Sequence, residues 1–253
     1  VPFQIENTAT LSAVVNHVAQ RVGFAGSIAD PTGSTDTGVI RMVAAANDAA
    51  KELAGIYAWP ELIRSYSISV QADFPGQAEK GYDLPEDFFA FIFQTENSST
   101  TRMPAIGPLL PRTWQTIKTI APYVSIRLMW RYFNGKIYFL NPPSSAQTFT
   151  LEYLSQGYVK DADDPATFKN VASKNGDTFI GFDEYVLKCL ARTKWLEMMQ
   201  FDASAATNDF NRAFDSRVAR LEGAPVLSMK KAGLYPPFVP IGAHSVPITG
   251  IGS

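Results

Sequence analysis

Apolar residues along this chain recur first at three- and four-residue spacing, then at every second position, then at three- and four-residue spacing again. Leu11, Val14, Val15, Val18 and Val22 share one helical face behind Thr10, a suitable N-cap, and Gly23 is placed to end that helix. Residues 24–35 read as a Gly, Pro and Ser loop. A second helix is predicted from Asp36 to Ala58, with Val39, Met42, Val43, Ala46, Ala50, Leu53 and Tyr57 on its stripe and Trp59-Pro60 stopping it. The period then changes to two. Tyr66, Ile68 and Val70 alternate with Ser65, Ser67, Ser69 and Gln71, and Phe88 to Phe93 gives a further strand.

Pro111 suits the first position of a short helix carrying Trp114, Ile117 and Ile120. Ile126 to Phe133, Asn134-Gly135 and Lys136 to Leu140 form a hairpin, because Asn-Gly supplies the two positive φ angles of a type I′ turn. Asn141-Pro142-Pro143 closes it and Thr148 to Ser155 alternates again. After an irregular acidic connector, Asp161 to Ile180, Asp183 caps a helix bearing Val186, Leu187, Leu190, Lys194 and Met198. Asp202 caps another bearing Phe210, Phe214, Val218 and Leu221, which ends at Gly223.

The fold class is therefore α+β: two N-terminal and two C-terminal helices pair as a bundle, with an antiparallel β module inserted between them. The expected boundaries are 1–62 for the first helices, 63–158 for the β module, 159–181 for the connector, 182–223 for the last helices and 224–253 for an extended arm. No internal repeat is visible.

Composition removes several classes of function. The 253-residue chain carries 22 basic and 24 acidic residues, so no basic field advertises affinity for nucleic acid. No apolar run reaches the ~20 residues of a membrane helix, and Val1 to Glu6 lack the pattern of a signal peptide, so no membrane partner and a cytosolic site of synthesis are expected. One cysteine, Cys189, excludes an internal disulfide and reads as a small core residue between Leu187 and Leu190. His17 and His244 have no partner for a dyad or a metal site. Asp161, Asp163 and Asp164 lack EF-hand spacing and read as a solvated acidic loop rather than a calcium site. Asp83, Glu86 and Asp87 around Pro85 form a turn at a strand end, not a hydrolytic pair. Gly23, Gly26 and Gly33 lack the spacing of a phosphate loop. No catalytic residue, metal ligand or cofactor is expected.

Residues 224–253 are rich in apolar residues, Pro and Gly yet follow no period, and the prolines of Gly233 to Gly242 remove backbone donors. Such a segment wants a partner. Leu234, Tyr235, Phe238, Val239, Ile241 and Ile248 are its candidate docking residues, with Val246 and Ile251 beside them; the plainer reading packs the segment over its own domain.

Several stretches together resemble a known family. Tyr82-Asp83-Leu84-Pro85-Glu86-Asp87-Phe88 is similar to the turn that opens the β insertion of head-to-tail adaptor (connector) proteins of tailed bacteriophages, including the T7-like tail tubular protein A adaptors. Ile106-Gly107-Pro108-Leu109 before Trp114, Lys136 to Pro143, Thr150 to Ser155, Glu184 to Trp195 and Gly223 to Ser228 resemble further family segments in the same order. The resemblance covers residues 11–229. It implies a dodecameric ring in the virion neck, assembled in the host cytoplasm, between the portal protein and the tail tube or nozzle. Self-association, tail fibres as a further candidate partner, and genomic DNA passing through without specific binding belong to the same expectation. Many relatives end soon after the Gly-Ala-Pro-Val-Leu-Ser segment, whereas this chain continues.

Two other classes are kept in view. Tyr123, Trp130, Tyr132 and Tyr138 would let a β-module binding protein take a glycan or another tail component, but at strand spacing they read as core or subunit interface. A cell-wall hydrolase would need an acidic pair in a cleft, and none is visible.

Overall fold

The computed structural model describes residues 8–24, 26–70, 80–119, 127–140 and 146–221. In chain order its first half runs β1 (Thr8–Thr10), α1 (Leu11–Arg21), α2 (Thr37–Ile56), β2 (Ile63–Val70), β3 (Gly81–Asp83), β4 (Phe88–Ser98), β5 (Met103–Pro104) and α3 (Pro111–Thr119). The hairpin β6 (Met129–Phe133) and β7 (Lys136–Leu140) follows, then β8 (Gln147–Ser155), β9 (Val159–Lys160), β10 (Phe168–Lys169), β11 (Thr178–Ile180), α4 (Glu184–Met198) and α5 (Ser204–Leu221). The chain divides into two compact units, residues 1–214 and 215–253; the described part of the second is the end of α5.

The helices start where their caps are. Thr10 Oγ1 accepts the Ala13 N–H at 3.2 Å, Asp36 the Gly38 N–H at 2.7 Å, and Asp183 those of Tyr185 and Val186 at 3.0 and 3.3 Å. Asp202 accepts the Ser204 N–H at 2.9 Å where α5 begins. Helix α1 closes as expected: Gly23 takes φ +82°, and the Phe24 N–H turns back to the Ala19 carbonyl at 2.9 Å. Helices α1, α2 and α4 pack on one another. Their buried stripes are Leu11, Val14, Val15 and Val18; Val39, Met42 and Leu53 with four small alanines at 45, 46, 49 and 50; and Val186, Leu187, Leu190 and Ala191. Helix α5 reaches the rest of the first unit through side chains, Phe214 lying edge-on to Trp59 and Asp209 3.5 Å from Arg192.

Trp59 turns the chain from bundle to β module. Its ring is fully buried among Tyr57, Phe182 and Phe214, and its Nε1 donates to the Leu53 carbonyl at 2.7 Å. Two residues of the short helical turn later, Leu62 is fully buried over Gly181, where a Cβ would stand 2.8 Å from it.

The β module holds two antiparallel sheets, ordered β2-β8-β4-β5 and β3-β7-β6. Ile68, Val70, Trp130, Ile137, Phe139, Phe149 and Leu151 fill the core between them, and a smaller cluster of Trp114, Met129 and Leu140 fixes α3. The hairpin turns at Asn134 and Gly135 with φ of 47° and 76°, as the type I′ reading requires. Its first strand begins at Met129; Ile126, Ile120, Tyr123 and Asn141 to Pro143 lie outside the described residues.

One expectation is corrected. The connector is irregular only in part: β9, β10 and β11 lie within it and form a third antiparallel sheet with β1, ordered β1-β11-β9-β10. Strands of two or three residues are too short to show a period, and their partner is the segment entering α1. The same connector serves α1 directly, since the Leu11 and Ser12 N–H groups donate to the carbonyls of Asp177 and Asn175 at 2.8 and 3.2 Å.

Candidate functional site

The turn Tyr82 to Phe88 and the return strand Glu152 to Ser155 meet at one carboxylate. The Phe88 N–H donates to the Pro85 carbonyl at 3.0 Å, and this tight turn aims Asp87 across the sheet. Asp87 Oδ1 accepts the Tyr153 hydroxyl at 2.9 Å, while Oδ2 accepts Ser155 Oγ at 2.5 Å and lies 3.1 Å from the Arg64 guanidinium. Ser155 Oγ in turn accepts the Gly157 N–H at 2.9 Å. Burial, then the hydrogen bond to Asp87 and its charge, push the Tyr153 hydroxyl up to about 12, so it remains a donor.

Arg64, Glu86, Asp87, Gln156, Phe168 and Lys169 line an open groove of about 390 Å³ beside this junction. Three of its charged side chains, Arg64, Asp87 and Lys169, are ion-paired. Arg64 pairs with Asp87 and lies 4.3 Å over the Phe168 ring, and Lys169 is shared by Asp161 at 2.8 Å and Asp177 at 2.6 Å.

Of the three aspartates expected in a solvated loop, Asp163 and Asp164 are exposed and Asp161 is partly buried. The Asp161 side chain is only 15% exposed and binds Lys169 and Lys174, which with the Asp163 N–H hold its carboxyl well below the usual range. Asp177 is fully buried. Burial pushes its pKa up, but Lys169 and the N–H groups of Lys174, Ser173 and Ala162, all within 3.1 Å, outweigh that and hold it low. Among the described residues no group of three or more His, Cys, Asp or Glu side chains is arranged to hold a metal ion, and no helix is long and apolar enough to cross a membrane.

The other candidates fall separately. Cys189 is buried and its thiol is raised by that burial; His17 is partly buried on α1, with its pKa lowered first by burial and then by Lys188, Arg21 and Arg192. Asp83 pairs with Lys136 at 2.6 Å. His244 and the six candidate docking residues Leu234, Tyr235, Phe238, Val239, Ile241 and Ile248 lie outside the described residues.

The strand aromatics divide. Trp130 is fully buried, 5.4 Å from Phe91 and 5.7 Å from Phe149, and Tyr138 is partly covered, but Tyr132 is 46% exposed. Other exposed side chains that period reading misses are Phe89, Phe93 at 60% and Phe133 at 57%. Strand β4 shifts register against β8 between Phe88 and Ala90 and again between Ile92 and Asn97. These bulges let Phe88 and Phe91 both reach the core and leave Phe89 and Phe93 outside. The unbroken run Phe88 to Phe93, apolar on both parities, is the signal that could have revealed them.

The polar clusters thus tie elements of the fold to one another, and several large apolar side chains are left outward. The chain belongs to the SU10 adaptor protein family, whose model matches residues 9–233. The family is one of structural phage adaptors rather than enzymes, and its members work on other head and tail components of the particle. No curated protein matches the chain.

Proposed function

We propose that this adaptor forms a closed dodecameric ring in the virion neck, between the portal protein and the tail tube or nozzle, as a conduit for DNA. A ring of identical subunits needs two different faces on each protomer, and a helical bundle carrying a separate β module supplies them. The observation that carries this reading is the set of large aromatic side chains that the β module leaves exposed, Phe89, Phe93, Tyr132 and Phe133, with Tyr132 and Phe133 on opposite faces of their strand. The balance of 22 basic and 24 acidic residues suits a channel through which DNA must slide, because each neutralised phosphate would strengthen binding. This part of the reading also follows the resemblance to the T7-like adaptors.

Residues 224–253 act as docking arms on the portal or a neighbouring subunit through Leu234, Tyr235, Phe238, Val239, Ile241 and Ile248. One arm binds weakly, since each buried side chain contributes roughly 1.5 to 3 kcal/mol against about 1 to 2 kcal/mol per residue ordered. A ring engages many arms at once, and avidity makes the joint durable.

The test is mass measurement and negative-stain imaging of the purified protein, alone and with portal, for the wild type, for Phe93→Asp/Phe133→Asp and for a chain lacking residues 230–253. Rings are expected from the wild type. The aspartate variant should fold but lose ring or tail-side contacts, and the truncated chain should fold but lose stable attachment. A wild type that stays monomeric with portal present overturns the ring reading.

A further inference from the structure

Between Asn97 and Leu151 the chain has no carboxylate: six of its 22 basic residues lie there and all 24 acidic residues lie elsewhere. Four of the six, Arg102, Arg112, Lys118 and Arg127, are exposed on the β module, while Lys136 is paired with Asp83 at 2.6 Å. The Arg127 Nε donates to the Pro104 carbonyl at 2.8 Å, which sets Arg127 beside β5 and Arg102. Arg131 stacks 4.3 Å over the Trp114 ring, and Trp114 packs with Met129 and Leu140, so α3 with Arg112 and Lys118 lies on the same module. Exposed apolar side chains are mixed into it, Leu110 at 71% and Phe133 at 57%. A phosphate track would offer cations alone; arginines interleaved with aromatic and aliphatic side chains are the composition of a protein interface.

The opposite charge is gathered on other elements. Asn175 donates to Asp30 and accepts the Thr32 N–H at 3.0 Å, which joins the loop before α2 to the connector. On residues 26–36 and 159–177 the exposed charged side chains are Asp30, Asp36, Asp163 and Asp164 against one lysine, Lys174. The Asp163 side chain is 78% exposed and pairs with Lys174.

We infer that the basic face around α3 docks on the aspartate-rich connector corner of a second copy of this chain, making the head-to-tail contact of the ring. This rests on the ring reading above. Surfaces of opposite charge on different elements of one protomer give a heterologous contact, and they oppose the pairing of two like faces. The contact should loosen as salt rises, because exposed charges are screened over about 8 to 10 Å at ordinary ionic strength.

A charge swap tests it. Arg102→Glu/Arg112→Glu/Lys118→Glu and Asp163→Lys/Asp164→Lys are each expected to abolish the ring while keeping the helical signal; the second set also removes the Asp163–Lys174 pair, so a somewhat lower melting transition is expected there. The chain carrying both sets is expected to regain the ring, since a negative module face then meets a positive corner. If the wild type forms rings and the basic-face variant forms them as readily, the inference is overturned while the ring reading stands. It is equally overturned if the combined chain folds but stays monomeric, or if the basic-face variant keeps its ring and loses only portal or duplex DNA binding. A wild type without rings overturns both readings, and is distinguished by needing no variant.

Discussion

Asp87 and Tyr153, 66 residues apart in sequence, meet at 2.9 Å, and Ser155 reaches the other oxygen of the same carboxylate. Two of the segments that resemble phage adaptors are therefore one physical unit: the turn supplies the acceptor and the return strand the donors, with Arg64 balancing the charge. Both motifs act together to fix the β module.

Removing that carboxylate leaves a hydroxyl pair and a guanidinium without their acceptor. Asp87→Ala should cost about 2 to 3 kcal/mol and Tyr153→Phe about 1 kcal/mol. The double variant should cost less than the sum, since both remove the same hydrogen bond. Urea unfolding followed by tryptophan fluorescence checks this, and strict additivity would show that the contact contributes nothing.

Acid should loosen the connector first. Asp161 and Asp177 have folded pKa values below the unfolded carboxyl value, so their contribution is present above that value and lost as pH falls through the folded ones. Stability should therefore decline below roughly pH 4. Asp177→Asn, which turns an amide donor toward backbone N–H groups, should lower stability at neutral pH by about 3 kcal/mol and flatten the acid limb. Denaturant midpoints measured from pH 7 down to pH 2 separate the two effects.

How much of this was legible depended on whether a feature is local. Helix stripes, the caps at Thr10, Asp36 and Asp183, and the turn at Asn134-Gly135 each need only a few adjacent residues, and all were readable. The third sheet was not, because β9, β10 and β11 are too short for a period and their register is set by β1 far away in sequence. An aspartate reads as solvent-facing, so Asp177 gave no sign of burial; three of its four donors are backbone N–H groups that only the folded loop brings together. Phe89 and Phe93 were hidden by bulges that break the two-residue alternation.

Alkali should act through buried tyrosines. Tyr153 and Tyr158 are both pushed up to about 12, chiefly by burial, so their contribution is complete below the ordinary tyrosine value and is lost as pH rises through the folded one. Stability should fall between about pH 10 and pH 12. Absorbance of tyrosinate near 295 nm should lag the exposed tyrosines and rise together with unfolding; in Tyr153→Phe that late component should shrink. Early titration of every tyrosine in the folded protein would count against the burial assigned to these two.

The hairpin offers the sharpest separation of fold from assembly. Asn134 and Gly135 hold φ of 47° and 76°, a conformation that β-branched residues resist, and the turn sets the pairing of Trp130 with Phe139 and Tyr132 with Ile137. A slip of one residue would turn Trp130 and Ile137, both fully buried, toward solvent. Replacing the pair with Val-Val should therefore leave the far-UV helical signal of α1, α2 and α4 in place while changing the near-UV tryptophan signal. The outward positions of Tyr132 and Phe133 shift with the register, so ring formation or tail-side binding should be lost although the bundle persists. Size measurement on the same sample decides it: a Val-Val chain with a disturbed tryptophan signal that still assembles normally would mean that the β module is not the surface through which this adaptor meets its neighbours.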